Sequence, residues 1–224
     1  MGNQIVLMFI FLIAILFLLM FNELVYRRLG LKGEITRKFA HFTATLSTLT
    51  FPYLFTVHWY VLIMAVFFFI LLYVSRNGTH LKSIHDINRK SVGSYMLPLS
   101  IYLTFLVSNL IGNKFMYILP ILILAICDPI AGILGLNVKN YNHNIQIFGF
   151  KSKKTLLGSG SFFVTSFIIS IIALYFHRIV FDLKTFYLAL CIALVSTLVE
   201  FFSWRGLDNL FIPTSILLVL ILFL

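Results

Sequence analysis

Long apolar runs separated by short polar segments make up most of this chain. A helix needs about 20 apolar residues to cross the hydrocarbon core of a bilayer. Eight runs come close to that length and predict helices at 4–26, 42–57, 59–75, 92–111, 115–136, 161–176, 185–203 and 210–224. The second and last runs are short, so we expect them to be tilted or partly buried. The pattern predicts an all-α, polytopic membrane bundle of about seven to eight transmembrane helices.

Composition agrees with this pattern. Of 224 residues, 61% are hydrophobic and 11% are charged, and the mean hydropathy is +1.03. A soluble domain of this size could not bury so much apolar surface. The first run lacks a basic leader and a cleavage site, so it is expected to be a retained helix. Cys127 and Cys191 lie in apolar runs and are expected to be small buried hydrophobic residues. We expect one domain over residues 1–224.

Charge is distributed unevenly between the loops. The net charge is +10, and fourteen of the seventeen Lys and Arg residues lie in the segments 27–41, 76–91, 137–158 and 204–209. Cytoplasmic loops carry an excess of Lys and Arg, so the N-terminus is predicted outside and these loops in the cytoplasm. The cations suit anionic membrane lipids, a phosphorylated substrate, or both. They form no continuous patch, which argues against nucleic acid as a partner.

Asp128 lies inside an apolar run, where a carboxylate costs about 2.5–3.5 kcal/mol on insertion scales. Gly132 and Gly135 follow at helical spacing, so the acid and both glycines share one face of a helix, open to close approach by a ligand or a second helix. Pro129 is expected to kink or break this helix. The stripe therefore indicates a functional site, with a small-residue packing seam around a protonated acid as the alternative.

A basic cluster lies just before the second run. Arg37 and His41 are four residues apart and would share a helix face, with Lys38 beside them. Arginine binds phosphate through its planar fork, and lysine binds it as a point charge. The cluster is consistent with a phosphate grip or with a basic anchor at the membrane surface.

A second basic segment leads into the sixth run. It combines lysines, hydroxyl groups and glycines: Lys151, Lys153, Lys154, Thr155, Gly158, Ser159 and Ser161. The free N–H groups at a helix start favour phosphate. It is not a Walker A loop, because no glycine precedes Lys154 and no strand is predicted before it. An ordinary cytoplasmic loop with Ser161 as helix N-cap is equally consistent.

Acidic and amide groups meet between the last two runs. Glu200 ends one helix, Gly206 is expected to form a turn, and Asp208 and Asn209 open the next helix. Mg²⁺ is commonly held by one or two carboxylates together with substrate phosphates. Capping of the last helix by Asp208 is the simpler alternative.

Taken in order, these segments resemble the CTP-dependent polyprenol and lipid-alcohol kinases: phytol kinase, dolichol kinase and CTP-dependent diacylglycerol kinase. The resemblance extends over residues 36–213. Its pieces are Arg37-Lys38-x-x-His41, Arg89-x-x-x-Gly93 with Tyr95 and Pro98, Asp128-x-x-Ala131-x-x-x-Gly135, Lys154-Thr155-x-x-Gly158-Ser159, and Glu200 through Asp208-Asn209 to Pro213. The family usually has glycine where this chain has Cys127. The lysine–threonine piece also resembles the phosphatidate cytidylyltransferases, but their long acidic signature is absent.

The resemblance implies a kinase that transfers the γ-phosphate of CTP to a lipid alcohol at the cytoplasmic face, with Mg²⁺. It implies catalytic roles for Arg37, Lys38, His41, Asp128 and Lys154, and metal binding by Asp128, Glu200 and Asp208. It further implies nucleotide contacts for Arg89, Gly132, Gly135, Lys151, Lys153, Thr155, Gly158, Ser159 and Asn209. Cytidylyl transfer to a lipid phosphate is the alternative reaction. A transporter is a distant third, because no inverted repeat is visible.

Overall fold

The computed structural model describes residues 2–31, 33–76, 81–86, 91–137, 144–147 and 150–224, without the side chains of 136–137, 144–147 and 150–153. Most of the described chain is helical. The elements are α1 (Gly2–Leu29), α2 (Gly33–Ser47), α3 (Phe51–Leu54), α4 (His58–Ser75), α5 (Lys82–His85), α6 (Gly93–Ile111), α7 (Phe115–Asn137), β1 (Asn144–Ile147), β2 (Phe150–Thr155), α8 (Leu156–Arg178), α9 (Leu183–Phe202) and α10 (Asp208–Phe223).

The predicted helical membrane bundle is confirmed. Six helices (α1, α4, α6, α7, α8 and α9) are long and apolar enough to cross a membrane, and α10 is a shorter apolar helix. Their apolar residues lie against one another in the core and face outward elsewhere, as a lipid-facing bundle requires. The sequence pattern did not predict β1 and β2, which pair antiparallel with Ile147 opposite Phe150.

The second apolar run does not form a separate helix over 42–57. Helical structure begins at Gly33 and continues through a 3-10 turn (Thr48–Thr50) to Leu54. The basic cluster predicted to be helical is therefore part of α2. Its first turn is fixed by Thr36, whose hydroxyl donates to the carbonyl oxygens of Gly33 at 3.1 Å and Ser83 at 2.9 Å. Apolar residues alone mark only the second half of this segment, because its first half carries the charges of the site.

Contacts between helix ends define two ends of the bundle. At the end we call the basic end, the Ser83 N–H donates to Glu23 Oε2 at 2.9 Å, and the Val92 N–H donates to the Arg205 carbonyl at 2.7 Å. At the opposite end, Gln4 Nε2 donates to Thr56 Oγ1 at 2.7 Å. The described parts of the basic segments thus lie at one end, as the loop assignment predicts.

Helix α7 runs through the core of the bundle. Its residues Tyr117, Leu119 and Ile123 are fully buried, and it packs between α2 and α8. Pro129 does not break it, because α7 continues to Asn137. The predicted break is therefore absent. Neighbouring helices hold a membrane helix in place where proline removes a backbone hydrogen bond, so the break is avoided.

Candidate functional site

Two helices bring a lysine and an aspartate together inside the bundle. Lys38 Nζ on α2 lies 2.6 Å from Asp128 Oδ2 on α7, and both side chains are more than nine-tenths buried. His41, one helical turn further along α2, places Nε2 3.7 Å from the same carboxylate oxygen and 3.3 Å from the Leu124 carbonyl. Asp128 is therefore paired with a cation. This geometry favours a paired acid over the alternative of a protonated acid in a packing seam.

Glycines in the α7 stripe make room for this arrangement. A Cβ atom at Gly132 would lie 2.6 Å from Lys38 Cε, so any larger residue there would displace the lysine. A Cβ at Gly135 would lie 2.9 Å from Thr155 Oγ1, at the start of α8. The predicted stripe is thus present. Gly132 admits the lysine side chain, and Gly135 admits the end of the hairpin.

A second lysine joins two further acids. Lys154 Nζ contacts Glu200 Oε1 and lies 3.3 Å from Asp208 Oδ2. Ser159 donates to the other oxygen of Glu200 at 3.0 Å. Burial alone would lower the pKa of Lys154, but the carboxylates of Asp208 and Glu200 hold that pKa above its ordinary value. The two acids therefore favour the charged form of Lys154.

Lys154 lies at the end of a strand. The alternative of an ordinary loop with Ser161 as N-cap was wrong, because β2 leads directly into α8. The N-cap is Thr155, whose hydroxyl accepts from the Gly158 N–H at 3.2 Å. Pairing with β1 extends the backbone up to Thr155, which places the helix start five residues before Ser161. The side chains of Lys151 and Lys153, and all of Arg89, lie outside the described part of the chain.

The turn before α10 interlocks with the start of α6. Gly206 has a φ of +89°, and a Cβ there would lie 2.5 Å from the Gly93 nitrogen. Asn209 Nδ2 donates to the Gly93 carbonyl at 2.8 Å. The predicted turn at Gly206 is confirmed. The side-chain amide of Asn209 therefore links α10 to α6. This link helps to hold the neighbouring Asp208 in position.

Asp208 is the first residue of α10, and Leu207 is the N-cap. One Asp208 oxygen accepts from the Asn209 N–H at 3.1 Å, and the other contacts Lys154. The acid therefore sits at a helix N-terminus, where the helix dipole stabilises negative charge. Helix capping and the pairing with Lys154 use different oxygens of the same carboxylate.

Arg37 lies beside these acids and has spare hydrogen-bonding capacity. Its Nη2 donates to Glu34 Oε1 at 2.6 Å. Its Nε is buried and has no hydrogen-bond partner among the described residues. A buried donor without an acceptor is costly, which favours an anion as the missing partner.

An apolar cavity opens beside this charged cluster. The cavity and the open space at its mouth together comprise about 900 Å³. Arg37, Lys38, His41, Asp128, Asp208 and Asn209 line its charged end, and apolar residues of α1, α2, α4 and α6 line the rest. The sequence did not single out these apolar residues, because nothing in their pattern distinguishes a cavity wall from a packed core.

The acids offer a partial donor set for a metal ion. Among the described residues, no three His, Cys, Asp or Glu side chains converge as a metal cluster. Oxygens of Glu200 and Asp208 do converge on one cation, the Lys154 ammonium. Two carboxylates fit the usual protein contribution to a Mg²⁺ site, which substrate phosphates complete.

By its fold, this chain is an integral helical membrane protein. Its site consists of paired acids and cations at the mouth of an apolar cavity. The chain is similar to the phytol kinase of Synechocystis sp., with 29% identity over 193 residues that cover 84% of this chain and 78% of that protein. This similarity supports the resemblance to lipid-alcohol kinases at the level of the family. Neither a protein-family model nor a solved structure gives a significant match.

Proposed function

We propose that this protein is a membrane-embedded kinase that transfers the γ-phosphate of CTP to a lipid alcohol. The observation that best supports this proposal is the pairing of Lys38 with Asp128 at the mouth of an apolar cavity. The similarity of the chain to a phytol kinase supports it as well. A lipid alcohol needs a site of this form, with an apolar space for its tail and charged groups where its hydroxyl meets the nucleotide.

In the proposed reaction, the alcohol oxygen forms a bond to the γ-phosphorus while the bond from that phosphorus to the bridging oxygen breaks. CDP leaves, and the hydroxyl proton is released to solvent. Such a transfer depends on alignment and on neutralisation of phosphate charge more than on covalent help from the protein. Arg37, Lys38 and Lys154 supply the positive charge. Asp128 and His41 line the same charged end of the cavity, where the hydroxyl would enter.

The ion pairs suggest how the site changes when the nucleotide binds. Each lysine now neutralises an acid, so phosphates that bind the lysines would leave the carboxylates of Glu200 and Asp208 available. In this proposal Mg²⁺, when bound there with Asp128 nearby, neutralises charge on the transferred group. The two acids are close enough to act together, because one ammonium group contacts both.

The proposed orientation places the basic end in the cytoplasm and the N-terminus outside. The gathered cations at that end support it through the positive-inside bias. It also gives the site access to cytoplasmic nucleotides. The lipid alcohol reaches the same site from within the bilayer.

Product analysis tests the proposed reaction. Purified protein is incubated with CTP, Mg²⁺ and a lipid alcohol, and the nucleotide products are separated. We expect CDP and a lipid monophosphate. Release of pyrophosphate with a phosphatidate acceptor would instead identify a cytidylyltransferase. ATP, GTP and UTP in parallel reactions test the choice of donor.

A further inference from the structure

The apolar cavity is a slot that runs along the helices from the charged end. Along each helix, the residues that line the slot are mostly three or four positions apart, so they lie on one face of that helix. The wall residues are Ala40, Ala44, Thr48 and Phe51 on the α2–α3 segment, Val61, Met64, Ala65, Phe68 and Leu72 on α4, and Leu97, Pro98 and Ile101 on α6. Arg37 and Asp128 close the slot at the basic end.

The rise of a helix gives the length of this slot. Lys38 and Phe51 are thirteen residues apart on one helical segment, which corresponds to ~20 Å, and Val61 and Leu72 are ~16 Å apart. The hydrocarbon core of a bilayer is about 30 Å thick. The slot therefore extends over half or more of that thickness, with the charged residues of its lining at one end.

We infer that this slot holds the tail of a single-chain lipid alcohol and that its depth limits the length of the tail. The inference rests on the proposed function and goes further, because it assigns the substrate class and the residues that select it. One stripe from each helix forms the walls, which fits one tail. An alcohol with two tails would have to leave one of them outside the slot.

The slot should select its substrate by excluding tails that are too long or too wide. A tail that moves from the bilayer into an apolar slot exchanges one apolar environment for another, so each added methylene gains little. A tail that is too long or too wide meets packed side chains, and overpacking is costly. The slot should accept shorter tails and reject longer ones.

Two small residues set the width of the slot halfway along it. Ala44 is seven residues from Arg37 on the first wall, and Ala65 is seven residues from Leu72 on the second. Ala44 therefore lies ~10 Å from Arg37, and Ala65 lies ~10 Å from Leu72, the last wall residue of α4. A large side chain at either position would close the far half of the slot and leave the near half open.

Helix α1 forms the wall that faces the lipid. Ile15 and Leu19 line the slot, yet α1 is the least buried of the six long helices. A helix with so few buried residues is the natural side for a tail to enter from the bilayer.

The test measures kcat/KM for geraniol, farnesol and geranylgeraniol, which contain two, three and four isoprene units, and for diacylglycerol. It compares Ala65→Phe with Val66→Phe, because Val66 is the next residue and faces outward. We expect Ala65→Phe to lower the ratio of geranylgeraniol to geraniol by about tenfold or more, the size of a typical overpacking cost. Val66→Phe should leave the ratio unchanged. Phe51→Ala should raise turnover of alcohols longer than those the unchanged protein prefers.

The outcomes separate the two proposals. If the unchanged protein phosphorylates none of these acceptors, the proposed function fails. If it phosphorylates them and Ala65→Phe leaves the length preference unchanged, the slot is not the tail site. A preference for diacylglycerol that Ala65→Phe leaves intact also overturns the inference. If Ala65→Phe does not fold, as judged by gel filtration in detergent, Ala65→Leu provides the same comparison.

Discussion

Lys38 and Asp128 are ninety residues apart in the chain and 2.6 Å apart in the bundle. The His41 ring lies further away, with Nε2 3.7 Å from the same carboxylate oxygen. Removal of one member of a buried ion pair leaves the other uncompensated, which costs about 3–5 kcal/mol. The pair thus links the stability of the α2–α7 contact to the proposed chemistry, and the two effects can be separated by mutation.

Asp128→Asn should abolish turnover and lower thermal stability. The double variant Lys38→Met with Asp128→Asn should recover most of the stability, because no unpaired charge remains, but it should stay inactive. Thermal unfolding in detergent and the kinase assay measure the two effects. If Asp128→Asn retained near-normal turnover, the pair would have a structural role only.

Glu200→Gln and Asp208→Asn should each raise the Mg²⁺ concentration needed for half-maximal activity by about tenfold or more, the usual cost of weakening a metal site. Asp86→Asn is the control, since Asp86 lies at the same end of the bundle, accepts from the Tyr26 hydroxyl and does not line the cavity. Activity titrations against Mg²⁺ measure the change. An equal shift in all three variants would show that no metal binds at Glu200 and Asp208.

Arg37→Ala and Lys154→Ala should raise the KM for the nucleotide more than the KM for the alcohol. Both side chains are proposed to contact phosphate, and kcat should fall too if the contacts tighten in the transition state. Arg37→Lys keeps the charge but loses the planar fork, so it should recover only part of the loss. Arg76→Ala is the control, because Arg76 donates to the Tyr95 hydroxyl and lies outside the cavity wall. An unchanged nucleotide KM in both alanine variants would remove the basic cluster from the site.

Gly206→Ala should destabilise the protein by about 1–3 kcal/mol, because a residue with a side chain is strained at positive φ. The added Cβ would also lie 2.4 Å from Ser91 Oγ and 2.5 Å from the Gly93 nitrogen. Gly160→Ala is the matched control, since its Cβ meets nothing within 4 Å and alanine favours a helix. Thermal unfolding of both variants measures the difference. Equal unfolding temperatures would show that the turn can shift at little cost.

Cysteine labelling tests the proposed orientation. In a background without Cys127 and Cys191, Arg205→Cys and Lys184→Cys should react from opposite sides of the membrane. A reagent that cannot cross the membrane should label only Lys184→Cys in intact cells. Labelling of both from the same side would show that the assignment of the loops is wrong.

The sequence could predict the helices and the identity of the acids, but not how the acids are paired. Periodicity and length identify an apolar helix such as α4 to within a few residues, since burial in lipid and in a core selects the same side chains. The pairing of Lys154 with two acids depends on a strand that brings it to the start of α8, and few residues mark that strand. The slot was not predictable, because Ala65 has the same hydrophobicity whether it faces a cavity or a neighbouring helix.

The contact between Asn209 and Gly93 has a mechanical consequence. Gly93 begins α6, which also carries Leu97, Pro98 and Ile101 along the slot, and Asn209 directly follows Asp208. One helix therefore lines the apolar space and is tied, through Asn209, to the residue next to Asp208. We expect a tail that shifts α6 to shift Asp208 through this hydrogen bond, so that substrate binding and the position of an acid are linked without a moving loop.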